Sequence, residues 1–425
     1  MNKFFIYLFL FVILSNCALV KKETIEKEKI SRDLFKKIEP IQKELNTNIK
    51  INLNKISKKN QFINNNSNNS GNINFETIFE NKSSIKFSRI DNFEINQIEL
   101  IFTDDDEIIF FDGKGSVFKT NTNLKKIWKV NHYSKKEKKL NPILYFSQNG
   151  KNLFIADTLS KIYSINLNNG ELVWSKNSIS PFNSNIKIYK DRFMAVDFEN
   201  VIRCFSIRNG EELWNFKTEN SFIKSQKNLS LILNQEIVYF INNLGDITAL
   251  NVNDGSLIWQ TPTQSNMIYQ NAFSLKNSDL VFSNNSIYFS NNKNEIFSID
   301  ARNGIVKWKQ TVNSSLRPTI TANFVFSISE EGYLFVLDVR TGSIVKIINA
   351  LANIKNKKNK IKPTGFILAK HKIYLSLNNG KLIKVDISSG IQENIFKIAR
   401  SKISRPFVFN NEIYLIKENA IIKYN

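Results

Sequence analysis

The chain has 425 residues, of which 42% are hydrophobic and 12% aromatic, enough apolar material for a packed core of full domain size. Its formal charge is +21. The lysines are spread along the chain rather than gathered on one element, which argues against nucleic acid as a partner and for a compositional bias toward Lys, Asn, Ile and Phe. With only Cys17 and Cys204, a disulfide framework and a cysteine-based metal site are both excluded.

The amino terminus reads as an export signal. Met1-Asn2-Lys3 supplies a charge, and Phe4–Leu14 is an apolar run too short to cross a bilayer as a permanent helix. The tetrapeptide Leu14-Ser15-Asn16-Cys17 that follows resembles the bacterial lipobox, with Asn16 where that motif usually carries Gly, Ala or Ser. The resemblance implies acylation at Cys17. Ala18 in place of Asp implies an outer-membrane destination facing the periplasm. Residues 1–17 are thus expected to be the signal and acceptor.

Residues 18–71 are expected to form a polar, partly helical tether. Ile25, Ile30, Leu34, Ile38, Ile41 and Leu45 approximate a helical stripe broken by Pro40. A helix that binds a partner is the alternative. Asn64–Asn72 (NNNSNNSGN) reads as too polar and too low in complexity to pack.

From residue 72 onward the chain repeats itself. Gly245–Trp259 (GDITALNVNDGSLIW) is a strand-like run, an Asn-Asp-Gly turn, and a Trp four residues past the Gly. Ile162–Trp174, Ile202–Trp214 and Ile296–Trp308 repeat it, and Val117–Trp128 is a copy that has lost its Gly. Leu334–Lys346 and Leu382–Asn394 keep the Gly without the indole. The equivalent positions are 128, 174, 214, 259, 308, 346 and 394, so the steps run from 38 to 49 residues, the length of one four-stranded unit. In the sixth copy the strands read Thr319–Ala322, Phe324–Ser329, Tyr333–Val339 and Ser343–Ile348, with Gly332 and Gly342 in the turns.

Such a sheet cannot bury both faces alone, so neighbours stack and a ring hides the end units. An eighth unit opens with Pro406–Phe409, Glu412–Ile416 and Ala420–Tyr424, and the chain then ends one strand short. Ser84–Arg89 (SIKFSR) is the strand available to complete it, which closes the ring and removes two edges. The expected fold is an all-β, eight-bladed propeller over residues 72–425, made of four-stranded antiparallel blades. Trp128, Trp174, Trp214, Trp259 and Trp308 then have a structural role, each packing against the turn of the adjoining blade.

The strand, the Asn/Asp/Thr-Gly turn and Gly-x-x-x-Trp resemble the tryptophan-docking repeat of the PQQ-type propellers. Together with the acylation signal, the pattern is similar to the BamB family of outer-membrane assembly lipoproteins. The resemblance implies a non-catalytic scaffold, monomeric within a hetero-complex. It would dock on a periplasmic domain of BamA, sit lipid-anchored at the outer membrane, and carry no cofactor and no metal.

Two other readings stand beside it. A quinoprotein dehydrogenase shares the eight-bladed ring, and Asp104-Asp105-Asp106-Glu107 is its best metal candidate here, against a solvated hairpin between two strands. A ligand-binding or sensing propeller is the other. His132 and His371 have no evident nucleophile or carboxylate beside them, so no catalytic residue is assigned. Cys204, inside a repeat strand, reads as an inert core thiol. Two connectors carry apolar residues where polar ones are expected: Thr218–Lys227, with Phe222, Ile223 and Lys224, and Gln264–Lys276, with Met267, Ile268, Tyr269, Phe273 and Leu275. Apolar side chains beside a cation suit a protein partner, and Phe222, Ile223, Lys224, Met267, Ile268 and Tyr269 are the candidate docking residues; side chains that cover the blade rim are the alternative.

Overall fold

Runs of alternating or continuous apolar residues, cut every few positions by Gly, Asn or Asp, dictate short strands joined by tight turns. A computed structural model of the chain describes residues 49–53, 67–80, 82–91, 93, 98–219, 224–225, 227–263, 275–321, 323–355 and 360–425. Among these residues the strands form eight sheets, seven of four strands and one of five. A single turn of 3-10 helix, Glu137–Leu140, is the one helical element among them, and no helix there is long and apolar enough to cross a membrane.

Blade 1 comprises strands A (Ile101–Phe102), B (Glu107–Phe111), C (Val117–Asn121) and D (Lys126–Val130), and blades 2 to 7 follow the same order. The A strands of successive blades approach one another around the axis, and the D strands form the exposed rim. Blade 6 has strands Thr319–Ile320, Phe324–Ile328, Tyr333–Asp338 and Ile344–Asn349, close to the positions expected from its sequence.

Blade 8 is built from both ends of the chain. Strands A (Phe407–Phe409), B (Glu412–Lys417) and C (Ala420–Tyr424) are joined by Ser83–Lys86, antiparallel to strand C, with Ser83 opposite Lys423 and Lys86 opposite Ala420. Phe87 and Ile90 extend the pairing, their amides donating to the carbonyls of Asn419 (3.0 Å) and Glu418 (2.8 Å). The ring is closed by this strand, so no A–B–C unit is left with a bare edge.

One device recurs that the repeat pattern does not disclose. In blades 1 to 7 strand D bulges immediately before the Trp-equivalent position, leaving one residue unpaired: Ile127, Val173, Leu213, Ile258, Lys307, Val345 and Glu393. An extra residue shifts the alternation of the pleat by one. In blades 1 to 5 the next side chain, the Trp, therefore turns from solvent toward the adjoining blade.

The segment before blade 8 corrects one expectation. Asn64–Asn72 reads as too polar to pack, yet its described part, residues 67–72, crosses the A strands of blades 4 to 7. Asn68 Nδ2 donates to the Leu233 carbonyl (2.6 Å), and the Phe282 amide donates to the Asn68 carbonyl (3.2 Å). Asn69 Nδ2 donates to the Ile320 carbonyl (2.9 Å), and Asn72–Ile73 pairs in parallel with Leu368–Ala369 of blade 7. The segment is polar because its partners are strand-end backbone groups, which need hydrogen bonds rather than apolar cover. Upstream, Leu53 is buried with the core shared by blades 6 and 7, and Ile49 and Ile51 pack against it. Part of the expected tether thus rests on the body.

Candidate functional site

The five indoles occupy equivalent places. Each ring nitrogen donates to a carbonyl of the next blade: Trp128 to Leu167 (3.0 Å), Trp174 to Ile207 (3.1 Å), Trp214 to Val252 (2.9 Å), Trp259 to Ala301 (3.0 Å) and Trp308 to Val339 (3.0 Å). Each accepting carbonyl lies three residues before the Gly of that blade's C–D turn. At Gly210, Gly255, Gly304 and Gly342 a Cβ would come within 2.5–2.6 Å of the indole or its immediate neighbour, and every one of these glycines has φ between 70° and 75°. Left-handed backbone and contact with the ring both require glycine there. Trp259 and Trp308 are buried, and the other three are half-buried. These residues are cement between blades.

Of the candidate docking residues, Lys224 is described. It lies on the D–A connector between blades 3 and 4, half-buried, its ammonium 3.3 Å from Glu199. Phe222, Ile223, Met267, Ile268, Tyr269 and Phe273 lie outside the described residues, as does Cys17. Leu275, at the end of the second connector, is buried against Gly245 rather than exposed.

The axis holds a charged cluster that sequence reasoning missed. Two residues ahead of strand A, four blades place an ionisable side chain at the same point: Glu99, Asp279, Arg317 and Arg405. The repeated Arg-Pro of Arg317-Pro318 and Arg405-Pro406 was the available signal. Arg405 pairs with Glu99 (2.9 Å) and lies over the Phe407 ring, its own Cβ seated against Gly365. Lys227 donates to the carbonyls of Asn277 (2.6 Å) and Ser315 (2.5 Å). Burial pushes the Asp279 carboxyl up, but Lys227, Arg317, Arg405 and Lys187 outweigh it and hold the pKa below the usual aspartate range. Burial pulls Lys227 and Arg317 down. Ser70 of the crossing segment, Asp279, Arg317 and Arg405 enclose a cavity of about 20 Å³, room for one water molecule.

The remaining candidates for chemistry have structural places. Burial pushes the Cys204 thiol up to about 12, so it is not a nucleophile at neutral pH. His132 Nε2 lies 3.0 Å from the Gly170 carbonyl. His371 sits in the A–B turn of blade 7. The acidic run is the A–B turn of blade 1, with Glu107 paired to Lys119 (2.5 Å) and Asp106 accepting from Asn410 (3.0 Å). Among the described residues no group of three His, Cys, Asp or Glu side chains is placed to hold a metal ion.

Comparison with known proteins agrees with this architecture. Residues 113–348 match the family model described as outer membrane protein assembly factor BamB. No curated protein matches the sequence. Among solved structures, BamB from Moraxella catarrhalis superposes with a TM-score of 0.66 at 15% identity, covering 82% of this chain and 100% of that one. The computationally designed Ika8 protein (TM-score 0.59, 13% identity, 80% and 99% covered) and the C-terminal WD40 domain of Sif2 (0.59, 10%, 83% and 99%) share the ring as well. At such identities the structural likenesses speak for the fold alone. The family match spans more than half of the sequence and takes in the indole-on-glycine junctions described above; the chain belongs to the BamB family of outer-membrane protein assembly factors.

Proposed function

We propose that this chain is a non-catalytic periplasmic scaffold of the outer-membrane β-barrel assembly machinery. In this reading residues 1–17 are its signal and lipid-acceptor segment, Cys17 carries the anchor, 18–71 lead to the ring, and the propeller docks on the periplasmic domain of BamA. The observation that carries the reading is the family match over residues 113–348, because a propeller by itself hosts many functions.

The axis supports a scaffold over a quinoprotein dehydrogenase. That class needs axial room for a stacked quinone, and among the described residues the cavity where Ser70, Asp279, Arg317 and Arg405 meet holds about 20 Å³. The D–A connectors bearing Phe222, Ile223 and Lys224, and Met267, Ile268 and Tyr269, are the proposed BamA-facing surface. Ile223→Asp combined with Lys224→Glu is expected to abolish co-purification with BamA from detergent-solubilised membranes while the thermal transition stays put. Intact binding removes these connectors from the interface. Recovery of a bound quinone with dye-linked alcohol oxidation overturns the scaffold itself.

A further inference from the structure

The A–B and C–D turns lie on one face of the ring, and the B–C turns and D–A connectors on the other. Between blades 5 and 6, at the end where strand A turns into B and C into D, lies a cleft of about 760 Å³. That is within the usual range of about 300–1,000 Å³ for ligand sites. Blade 5 contributes Asn284, Ser286, Tyr288 and Lys307, and blade 6 contributes Asn323, Phe324 and the Asp338–Arg340 turn. Ile49 and Lys50, upstream of the ring, form the third wall.

The charges in this cleft are unbalanced. Asp338 is committed to its own turn, where Oδ1 accepts from the amides of Arg340 (2.9 Å) and Thr341 (3.0 Å). Lys307 is held by Ser286 (2.8 Å) and Asp300 (3.2 Å). Lys50 and Arg340 are both exposed, and among the described residues neither side chain has a carboxylate or hydrogen-bond partner. Two free cations on facing walls call for an anionic occupant.

The rest of the lining selects a peptide. Asn284 and Asn323, at the tips of adjacent A–B turns, each offer a carboxamide that both donates and accepts, as peptide groups require. Tyr288, Phe324 and Val339 make an apolar floor. An extended chain sends alternate side chains to opposite sides. Acidic residues can then reach Lys50 and Arg340 while apolar ones meet the floor. We propose that this cleft binds an acidic, extended peptide segment of a partner protein. The site lies at the other end of the strands from the proposed BamA-facing connectors, so it stands or falls independently of that docking reading.

The test uses the full chain and fluorescence anisotropy with a labelled short peptide alternating Glu and Val, beside the same peptide with Gln for Glu. The Glu peptide is expected to bind, with affinity falling at least about tenfold for the Gln peptide and for the Lys50→Glu/Arg340→Glu double variant. Both substituted side chains are exposed, so an unchanged thermal midpoint establishes that the variant is folded. Equal binding of the two peptides, no binding of either, or binding indifferent to the double substitution overturns the proposal. So does capture of phosphatidylglycerol vesicles through Lys50 and Arg340 that the Glu peptide cannot displace, which would make the cleft a lipid-headgroup site.

Discussion

The junctions between blades 1 and 6 and those that close the ring solve one problem by two means. From blade 1 to blade 6 an indole on strand D docks on the next C–D turn, anchored by its nitrogen. At the junction of blades 6 and 7 the equivalent residue is Lys346, which donates to the Ser388 carbonyl (2.5 Å), and Ile348 rather than an indole lies 3.6 Å from where a Gly390 Cβ would stand. At blades 7 and 8 the wedge comes from outside the repeats: Phe79 stacks on Phe396 at 4.0 Å and lies 5.6 Å from Tyr424, while Phe75 meets Tyr374 at 5.2 Å. At blades 8 and 1, Phe102 stacks on Phe409 at 4.6 Å, beside the Arg405–Glu99 pair. An inherited junction is local to the repeat, whereas the junction of blades 7 and 8 recruits Phe75 and Phe79 from the amino-terminal segment.

The largest expected effect lies in the indole set. Trp259 is buried and its nitrogen is bonded to Ala301, so Trp259→Ala should cost about 3–5 kcal/mol, read as a fall in the urea midpoint. The turn glycines sharpen the contrast. Gly390→Ala places a Cβ in ordinary van der Waals contact with Ile348, at 3.6 Å, and should cost about 1–2 kcal/mol for left-handed backbone alone. Gly255→Ala drives the new carbon to 2.6 Å from the Trp214 ring, which should add about 1–3 kcal/mol. Equal costs at the two glycines would mean that the ring, not the turn, gives way.

These differences bear on what could be read from the sequence. The blade count, the turn glycines and the role of Ser83–Lys86 were legible because each leaves a periodic trace or a missing partner. The seven D-strand bulges were not, since a one-residue shift such as that at Val173 leaves residue types unchanged and alters only which side they face. Asn68 and Asn69 misled because a segment that satisfies strand-end backbone has the composition of one that stays in solvent. The axial charges escaped because Arg317 and Arg405 look like ordinary connector residues until eight strands bring their connectors together. Of the proposed docking residues, only Lys224 falls in the described part.

The closing junction of blades 7 and 8 should be softer than an indole junction. Phe79 is half-buried, so Phe79→Ala should cost about 2 kcal/mol, roughly half the full-burial value for Phe. Hydrogen exchange is the discriminating measurement: protection should fall in Ser83–Lys86 and Ala420–Tyr424 while blades 2 to 4 keep theirs. A uniform loss over all blades would mean that the ring opens as one unit, with no weaker seam at its closure.

The smallest effect separates axis from blade through two buried aspartates. Asp157, in blade 2, is held above the usual range by burial, against the opposing hydrogen bond from Tyr133 and the amides of Leu159 and Lys161. Its folded pKa exceeds its unfolded one, so its contribution is fully present below the ordinary aspartate pKa and is lost as pH rises through the raised value. Asp279 has the opposite sign: its contribution is present above the ordinary pKa and lost as pH falls through the lowered one. Between about pH 3 and pH 7, the stability of Asp157→Asn relative to the unsubstituted chain should therefore rise, and that of Asp279→Asn should fall. Taking each variant against the parent at every pH cancels the carboxylates they share, leaving the local surroundings of one side chain. Slopes of the same sign would show that the four axial cations do not govern Asp279, and the axis would then differ from the blades in composition but not in electrostatics.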